Sequence, residues 1–315
     1  MGLDVSVIVP VHNRCDILGP CLDSVPFGVE LVVVDDKSSD GAPDFVERHY
    51  PRARLLRNEK NMGFGATVNR GLSAAGGDVM LVLNSDARLM PGALERLVEQ
   101  FAADRAVGVA GPHLVFEDGS HQTSAASFPT VGSVIAGAFA LNEVYRRVRP
   151  DRRFRWELGL SRADHERTQD VDWVMGACLT ISRPCFQATG GFDPAYRMYF
   201  EECDLCWRAR QAGFKVRYVA DATACHLGGA SGGDAVRQAR MIVDGEATFM
   251  RRVYGPTVLR RWRWARITSS VLKLMAFGLG SPFDHRMRTR CRWHYGALSR
   301  LATTSFDTDR HHAPS

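Results

Sequence analysis

Polar side chains follow three apolar runs in the N-terminal part of the chain. The runs lie at residues 5–10, 31–34 and 78–83, and each has the composition of a strand buried on both faces. The polar residues after them are His12, Asn13, Asp35, Asp36, Asn84, Ser85 and Asp86. In a parallel sheet, ligands bind in the crevice beyond the carboxyl ends of the strands. The sequence therefore predicts one polar site built from these strand ends.

A second group of acids lies far along the chain. Glu201, Glu202 and Asp204 fall within four residues, and His226 follows the strand-like segment 215–219. Carboxylates, an imidazole and a diphosphate can complete an oxygen-rich octahedron around Mg²⁺ or Mn²⁺. No Ser/His/Asp or Cys/His set for a protein nucleophile is evident in the sequence. The residue types therefore indicate a metal-assisted reaction.

The polar loop at residues 58–65 contains glycine and precedes a predicted helix, a combination suited to close backbone approach to a ligand. Zinc is an alternative for Cys203, Cys206 and the Cys225-His226 pair. On a helix, however, the first two cysteines are only i, i+3 neighbours, whereas structural zinc pairs usually sit on knuckles. The sequence therefore favours Mg²⁺ or Mn²⁺ over zinc.

Helix-like segments separate the apolar runs. They are expected around residues 14–24, 41–49, 64–75, 91–101 and 200–212. Strands that alternate with helices at this spacing predict an α/β fold, with a parallel sheet and helices on both of its faces. Regular structure is expected again at 171–181, whereas the Arg-rich stretch 146–167 is expected to be a loop or linker.

The net excess of positive charge comes from the C-terminal part of the chain. The 315 residues carry a net charge of +5, but residues 251–300 hold 12 Lys and Arg against a single acid, Asp284. Trp262 and Trp264 lie among these Arg residues, a pattern typical of a helix at a membrane interface. The alternative is a basic helical pair packed on the catalytic domain. The apolar stretch 271–283 is too short to span a bilayer.

Composition also bears on partners and compartment. Nucleic-acid binding is disfavoured, because no nucleic-acid-binding motif is present and the basic and aromatic residues are confined to one segment. The eight cysteines are too sparse for a disulfide scaffold, and the N-terminus shows no charged-then-apolar leader. We therefore expect a reduced, cytoplasmic protein, peripheral on the inner face of the plasma membrane.

Six sequence motifs occur in a fixed order. They are Val7-Ile-Val-Pro-Val-His-Asn13, Val33-Val-Asp-Asp-Lys-Ser-Ser-Asp-Gly41, Asn61-Met-Gly-Phe-Gly-Ala-Thr-Val-Asn69, Leu83-Asn-Ser-Asp-Ala87, Gly190-Gly-Phe-Asp193 and Phe200-Glu-Glu-Cys-Asp-Leu-Cys206. With these motifs, residues 4–230 resemble the family 2 glycosyltransferases with the GT-A fold, and in particular their bacterial rhamnosyltransferase-like branch. His12 stands where that family commonly has Tyr, and Asn84 replaces the first acid of its Asp-x-Asp motif.

The resemblance implies a role for each motif residue. Asp35 would bind the nucleotide base, and Asp86 and His226 would hold Mg²⁺ or Mn²⁺ at the diphosphate. Glu202 occupies the position of the catalytic base, with Asp204 as the alternative. The donor-binding residues would be Pro10, His12, Asn13, Asp35, Asp36, Asn61, Gly63, Asn69, Asn84, Ser85 and Asp86. The acceptor-binding residues would be Trp173, Gly176 and Glu201, although Trp173 fits a core position equally well.

The resemblance further implies an inverting glycosyltransferase with a mixed, mainly parallel sheet flanked by helices and a basic C-terminal helical extension. Inversion needs one base at the acceptor hydroxyl and one Lewis acid at the leaving diphosphate. The nucleotide-sugar donor would be dTDP-rhamnose, with a UDP-sugar as the alternative. The acceptor would be a polyprenyl-diphosphate-linked glycan of cell-envelope polysaccharide synthesis. A sugar nucleotidyltransferase is the rival, but it would carry a Gly-rich, basic signature near the N-terminus, where this chain has only Arg14.

We expect three regions along the chain. A catalytic domain would cover residues 1–233, with its donor half at about 1–117 and its acceptor half at about 171–233. A basic amphipathic helical extension would follow at 234–300, and a disordered tail at 301–315. The glycine-rich stretch 228–233 would be either a lid over the bound donor or a plain linker.

Overall fold

The computed structural model describes residues 2–139, 163–228, 234–278 and 285–303. Most of the expected loop at 146–167 lies outside the described residues. So do the glycine-rich stretch beyond Gly228, the end of the apolar stretch 271–283 and the expected tail beyond Thr303.

The chain divides into two compact units. Met1–Phe128 and Leu158–Ser231 form the first, called the sheet unit, and Pro129–Glu157 and Gly232–Ser315 form the second, called the helical unit. Residues 129–139, which lie between the two parts of the sheet unit in sequence, belong to the helical unit. The expected domain boundary at residue 233 stays a prediction.

The secondary structure elements are as follows. The strands are β1 (Val5–Val11), β2 (Glu30–Asp35), β3 (Arg54–Arg57), β4 (Val79–Leu83), β5 (Ala87–Leu89), β6 (Val107–Val115), β7 (His121–Gln122), β8 (Ala125–Ala126), β9 (Gln169–Asp170), β10 (Trp173–Val174), β11 (Cys178–Ser182) and β12 (Lys215–His226). The helices are α1 (Cys15–Asp23), α2 (Ala42–His49), α3 (Phe64–Ala74), α4 (Ala93–Ala103), α5 (Val131–Ala138), α6 (Arg183–Thr189), α7 (Glu201–Gln211), α8 (Ala235–Gly278) and α9 (His285–Thr303). The five helices expected from the sequence are thereby confirmed, as α1 to α4 and α7.

Ten strands of the sheet unit form one sheet. Its order is β3-β2-β1-β4-β11-β6-β12-β5, with β7 on β6 and β9 on β12. The first four strands are parallel to one another. β11 runs antiparallel between β4 and β6, and β12 is parallel to β6. The predicted mixed sheet is therefore confirmed, with its parallel part at the N-terminal end of the chain.

Helices cover both faces of this sheet. Leu22 of α1 and Leu97 of α4 share a buried core with Val7 of β1. α3 lies on the opposite face, because side chains alternate along a strand and its Gly71 lies against Ile8. A Cβ atom at Gly71 would lie 2.4 Å from Cγ2 of Ile8, so only glycine permits this approach of helix to strand.

In the helical unit, α5 and α9 pack on α8. α8 is two helical segments that meet at Gly255, whose φ of 83° interrupts the helix before Pro256. The buried carboxylate of Glu246 accepts a hydrogen bond from Nε1 of Trp262 at 2.9 Å and pairs with Arg266 at 3.0 Å. In the described part of the chain, no helix combines the length and apolar character that crossing a bilayer requires.

Candidate active site

The carboxylate of Asp36, at the end of β2, fixes the glycine-containing loop before α3. It accepts hydrogen bonds from the backbone N–H of Met62 at 2.7 Å and of Gly63 at 3.0 Å. It also accepts one from Nδ2 of Asn58 at 2.8 Å. Asp36 is buried, and both of its oxygens are satisfied by this loop. Its geometry is that of an anchor that gives the loop its shape.

Asp35 and Asn13 shape the neighbouring turn in a similar way. Asp35 accepts from the backbone N–H of Ser38 at 3.2 Å, and Oδ1 of Asn13 accepts from that of Ser39 at 2.7 Å. Asn13 and Lys37 have left-handed backbone conformations, with φ of 52° and 65°. Such conformations are uncommon outside glycine and are typical of tight turns at functional sites. The structure thus brings together the predicted residues at the ends of β1 and β2.

His12 joins the turn to the loop. Its Nδ1 lies 2.9 Å from the backbone oxygen of Asp36, which can only accept, so Nδ1 carries the proton. Nε2 then accepts from Nδ2 of Asn61 at 3.2 Å and from Nδ2 of Asn13 at 3.3 Å. The imidazole that replaces the family's usual tyrosine is therefore part of a closed network. Pro10, two residues earlier, pairs with Val34 inside the sheet.

Asn69 is predicted to contact the donor, but the structure gives its amide a different set of partners. Nδ2 donates to the backbone oxygen of Phe192 at 2.7 Å, and Oδ1 accepts from the backbone N–H of the same residue at 2.8 Å. Both polar ends of the side chain are therefore used to hold the Gly190–Asp193 motif against α3. This arrangement favours a positioning role for Asn69.

Asp86 and His226 form a pair at the start of β5 and the end of β12. Nε2 of His226 lies 3.4 Å from Oδ1 of Asp86, and Nδ1 of His226 lies 3.1 Å from Oε1 of Gln122. The backbone N–H of Leu227 donates to the oxygen of Asp86 at 3.0 Å, which ties the two strands together. β12 and β5 are antiparallel neighbours in which His226 stands opposite Ala87.

This pair has the donor atoms that Mg²⁺ and Mn²⁺ accept, a carboxylate oxygen and an imidazole nitrogen. Oδ1 of the neighbouring Asn84 is buried, and within the described ranges no hydrogen-bond donor reaches it. Ser85 lies half-buried between these two residues. Among residues 2–139, 163–228, 234–278 and 285–303, no three His, Cys, Asp or Glu side chains are grouped to hold a metal ion. A carboxylate and an imidazole 3.4 Å apart are donor groups that such a cation accepts.

Glu201 and Glu202 open α7 in an unusual environment. Oε2 of each is buried, and no described residue gives either atom a hydrogen bond. Burial raises the pKa of Glu201 well above its ordinary value of 4.5, and the charge of Glu202 raises it further. Burial also raises the pKa of Glu202. The two residues before them, Tyr199 and Phe200, have φ of 69° and 71°, a conformation that is costly for bulky side chains.

Trp173 and Gly176 lie beside this pair. The backbone N–H of Gly176 donates to Oε1 of Glu202 at 3.4 Å, and a Cβ at Gly176 would lie 3.5 Å from Cδ of Glu202. The Trp173 ring stacks with that of Phe200, with centroids 6.3 Å apart, while its Nε1 donates to the oxygen of Ser127 at 3.0 Å. The predicted acceptor residues are therefore neighbours of the predicted base.

β11 connects the two groups of residues. It pairs with β4 so that Cys178 stands opposite Leu83, and the backbone N–H of Asn84 donates to the oxygen of Ala177 at 3.0 Å. Gly176, which contacts Glu202, is thus adjacent in sequence to the residue bonded to Asn84. One backbone hydrogen bond thus joins the end of β4 to the segment that contacts Glu202 of α7.

Asp204 differs from its two neighbours on α7. Its carboxylate pairs with Nε of Arg208 at 2.6 Å and accepts from the hydroxyl of Tyr196 at 3.2 Å. Arg208 also donates to the backbone oxygens of Thr189 at 2.6 Å and Gly191 at 2.7 Å. This buried ion pair holds the Gly190–Asp193 motif against α7, which favours a structural role for Asp204.

Cys203 and Cys206 lie on α7, one turn apart, and are buried together with Cys225 of β12. Burial raises the pKa of the Cys203 and Cys206 thiols, which disfavours the thiolate form that zinc requires. Sequence reasoning did not identify Gln122 or Arg208, although each contacts a predicted site residue. Gln122 lies on a two-residue strand that leaves no periodic pattern, whereas Arg208 is recognisable as the i, i+4 partner of Asp204.

Comparison with known proteins identifies the family of this chain. The glycosyl transferase family 2 profile matches residues 6–186. The chain is 31% identical over 210 residues to N-acetylglucosaminyl-diphospho-decaprenol L-rhamnosyltransferase of Mycobacterium tuberculosis, which covers 63% of this chain and 66% of that protein. It is 29% identical over 225 residues to the pre-mycofactocin glycosyltransferase of the same organism, covering 71% of this chain and 42% of that protein.

Solved structures agree on the fold. A mannosyltransferase from Pyrobaculum calidifontis, in complex with GDP-Man and Mn²⁺, superposes with a TM-score of 0.62 at 19% identity, covering 96% of this chain and 86% of that one. GalNAc-T7 with UDP, GalNAc and Mn²⁺ superposes with a TM-score of 0.54 at 17% identity, covering 83% of this chain and 54% of that one. The chain therefore belongs to glycosyl transferase family 2, and it is a glycosyltransferase with the GT-A fold.

Proposed function

We propose that this glycosyltransferase inverts the anomeric centre of a nucleotide-sugar donor and transfers the sugar to a hydroxyl, with Glu202 as the general base. The observation that carries the proposal is that Oε2 of Glu202 is buried without a donor among the described residues, while the N–H of Gly176 reaches Oε1 at the long distance of 3.4 Å. A base with a raised pKa takes a proton from a hydroxyl more readily than an ordinary carboxylate does. Glu202 acts in its deprotonated form, so turnover should rise with pH through that pKa.

Donor binding is assigned to the strand-end network. Asp35 and Asn13 would contact the base and ribose, because the turn that they shape is open to a ligand and its backbone is already held by hydrogen bonds. Asp36, His12, Asn61 and Gly63 would set the loop that approaches the donor. Preorganisation of this kind reduces the entropy lost when the nucleotide binds.

Asp86 and His226 are proposed to hold Mg²⁺ or Mn²⁺, with Asn84 and Ser85 beside them toward the donor. When bound, the cation would neutralise the charge that develops on the leaving diphosphate. The Mn²⁺ in the complexes of the Pyrobaculum mannosyltransferase and of GalNAc-T7 supports a divalent cation here. The protein's own contribution is to orient one carboxylate and one imidazole at a fixed separation of 3.4 Å.

The acceptor side is assigned to Trp173, Gly176 and Glu201. Gly176 leaves room beside the Glu202 carboxylate, because a side chain there would contact Cδ of that residue. The donor sugar is proposed to be L-rhamnose, carried by dTDP, and the acceptor a polyprenyl-diphosphate-linked glycan of the cell envelope. The name of the mycobacterial L-rhamnosyltransferase, whose acceptor is a decaprenol-linked sugar, supports both assignments. A UDP-sugar is the alternative donor.

The test is a panel of nucleotide sugars offered with a polyprenyl-diphosphate-linked glycan acceptor and read by product mass. Release of nucleoside diphosphate with the transferred sugar on the acceptor is expected, with dTDP-rhamnose giving the highest kcat/KM. Release of pyrophosphate would instead indicate a sugar nucleotidyltransferase and overturn the proposal. A β-linked product from an α-linked donor, or the reverse, would establish inversion.

The helical unit is proposed to bind an anionic membrane surface, which would place the enzyme at the inner face of the plasma membrane. Arg261, Trp264 and Met275 are exposed and recur at helical spacing along the second segment of α8. Tyr295 of α9 is 62% exposed, and Arg288 and Arg290 lie on the same helix. Exposed aromatic and Arg side chains together match the composition of an interfacial helix.

Liposome sedimentation tests this second proposal. Binding to vesicles with 30 mol% phosphatidylserine should weaken as salt rises, because screening reduces the attraction between exposed charges. Arg261→Glu combined with Trp264→Ser should weaken binding at least about tenfold while the far-UV circular dichroism stays unchanged. Binding that ignores both salt and these substitutions would contradict the proposal.

A further inference from the structure

Gln122 lies beside the candidate cation site without being one of its ligands. In the sheet it stands opposite Leu114 of β6, and Leu114 stands opposite Ala224 of β12. Because paired residues share a face and alternate residues along a strand share it too, Gln122 and His226 project to the same side of the sheet. The amide oxygen of Gln122 lies 3.1 Å from Nδ1 of His226.

This contact decides what the other ring nitrogen can do. A neutral imidazole has one N–H and one lone pair. If Nδ1 donates to the Gln122 oxygen, Nε2 keeps its lone pair and can bind a cation. If the Gln122 amide were reversed and donated to Nδ1, Nε2 would carry the proton and could only donate toward Asp86. The orientation of one amide therefore separates a metal ligand from an ordinary hydrogen-bonded pair.

Gln122 lies against a glycine and on a strand whose backbone is held in place. Its Nε2 end lies toward the backbone of Gly228, where a Cβ would come within 3.2 Å. Gly228 also has a φ of 66°. Glycine is therefore favoured there both by the close approach of Gln122 and by the left-handed backbone conformation. The hydroxyl of Ser124 donates to the backbone oxygen of Gln122 at 2.9 Å and accepts from the N–H of Leu114 at 2.7 Å, which fixes β7 against β6.

We infer that Gln122 is a positioning residue that holds His226 in the Nδ1–H form, so that Nε2 and Asp86 together receive a divalent cation. The 3.4 Å between Nε2 and Oδ1 matches two neighbouring ligands, which lie about 3.0–3.5 Å apart when each is about 2.1 Å from one cation. The inference rests on the proposed cation site and names the residue that prepares it. Partners of this kind typically contribute about 10–100-fold in metal affinity.

The first measurement needs no metal and no turnover. In metal-free wild-type protein labelled with ¹⁵N-histidine, a two-bond ¹H–¹⁵N spectrum distinguishes the two tautomers. His226, assigned through the loss of its signals in His226→Gln, should show the Nδ1–H form. The Nε2–H form in wild type would overturn the inference directly, whatever the behaviour of any Gln122 variant.

The second measurement is Mn²⁺ affinity, from the electron paramagnetic resonance signal of free Mn²⁺. Gln122→Met keeps the length of the side chain but removes the acceptor, and should weaken binding about 10–100-fold. Gln122→Glu keeps an acceptor and should bind within about threefold of wild type, or tighter. Gln100→Met, at a residue of α4 whose amide donates to the backbone oxygen of Arg96 in the same helix, is the matched control. Unchanged Mn²⁺ affinity in folded Gln122→Met would overturn the inference.

Failure of the proposed function would look different. Wild-type protein that binds Mn²⁺ through Asp86 and a Nδ1–H His226, yet transfers no sugar, would contradict the proposed function and leave the role of Gln122 intact. Wild-type protein that binds no Mn²⁺ would overturn both, because the cation site on which the inference rests would be absent.

Discussion

Asp36 and Glu202 are both carboxylates set into the sheet unit, but their surroundings are opposite. The oxygens of Asp36 accept three N–H groups at 2.7–3.0 Å. The hydrogen bond from Gly176 to Glu202 is long, at 3.4 Å, and no donor among the described residues reaches Oε2 of Glu202. A hydrogen-bonded carboxylate stabilises the fold, whereas a buried oxygen without a partner costs about 1–3 kcal/mol. The surroundings of Asp36 thus stabilise the fold, whereas the buried Oε2 of Glu202 destabilises it.

Asp204 makes the same contrast within a single helix. It lies two residues beyond Glu202, yet it is paired with Arg208 and bonded to Tyr196. Successive positions of a helix point about 100° apart, so neighbouring acids on α7 face different surroundings. Unsatisfied carboxylates with raised pKa values occur at functional sites because reactivity requires them there. The comparison therefore supports the proposal that Asp36 and Asp204 stabilise the fold and that Glu202 is the base.

The largest effect is expected at the proposed cation site. EDTA should abolish transfer, and Mg²⁺ or Mn²⁺ should restore it. Asp86→Ala should lower kcat/KM by at least about 10³-fold, because a cation at the diphosphate supplies several kcal/mol of charge stabilisation. Glu99→Ala, an exposed acid on α4, is the control. Full activity in metal-free buffer would remove Asp86 and His226 from the mechanism.

The next largest effect is expected at Glu202. Glu202→Gln should lower kcat by about 10²–10⁴-fold, the typical contribution of a general base, while donor affinity stays within about threefold. Glu201→Gln should be milder. Steady-state kinetics with saturating donor, together with calorimetric donor binding, would separate the two quantities.

Asp204→Asn sharpens this assignment. It should lower stability through loss of the Arg208 pair, with a smaller effect on turnover of the protein that remains folded. If folded Asp204→Asn has no turnover while Glu202→Gln stays active, the base is Asp204. The ion-paired carboxylate of α7 would then be the reactive one, contrary to the proposal.

The fold was predictable because its signals are local. The apolar runs of β1, β2 and β4 and the helical spacing of α1 to α4 can be recognised within a dozen residues each. The place of β11 between β4 and β6 could not be predicted in this way. That pairing joins Cys178 to Leu83, and its specificity comes from packing between segments almost a hundred residues apart.

The sequence motifs group the candidate site residues but do not show the surroundings of each side chain. Motif resemblance groups Asn69, Asp36 and Asp86 together as donor-binding. The structure instead bonds Asn69 to the backbone of Phe192 and Asp36 to that of Gly63. Whether a polar side chain has hydrogen-bond partners depends on backbone groups of loops that are distant in sequence. A sequence motif does not show which of these groups will contact it.

A moderate effect is expected from disturbing the anchored acid. Asp36→Asn keeps the size of the side chain but places an N–H₂ group against backbone donors. It should lower the free energy of unfolding by about 1–3 kcal/mol and weaken nucleotide binding about tenfold, because the Met62-Gly63 loop loses its support. Urea unfolding and calorimetry with nucleoside diphosphate would measure both. Glu59→Gln, an exposed acid near the loop, should change neither.

The smallest effect is expected in the free energy of unfolding of Glu202→Gln. This substitution should raise it, whereas Asp36→Asn should lower it. The folded-state pKa of Glu202 is raised above the ordinary 4.5, so the folded protein holds this proton more tightly than the unfolded chain does. The stabilisation that the bound proton gives to the folded state is fully present below about pH 4.5. It is lost as the pH rises through the raised pKa of Glu202. A neutral amide at this position does not have that loss. At pH 8, the free energy of unfolding of Glu202→Gln, measured with urea, should therefore be about 1 kcal/mol higher than that of wild type. This difference should become smaller toward pH 5.

The same measurement on Asp204→Asn and Asp36→Asn completes the comparison, because both should be less stable than wild type at pH 8. A base that evolved for reactivity should be the one acid whose removal stabilises the protein, since its burial is not offset by hydrogen bonds. Glu202→Gln that is less stable than wild type at pH 8 would mean that the Glu202 carboxylate is satisfied in solution. The difference in hydrogen bonding between Asp36 and Glu202 would then no longer support Glu202 as the base.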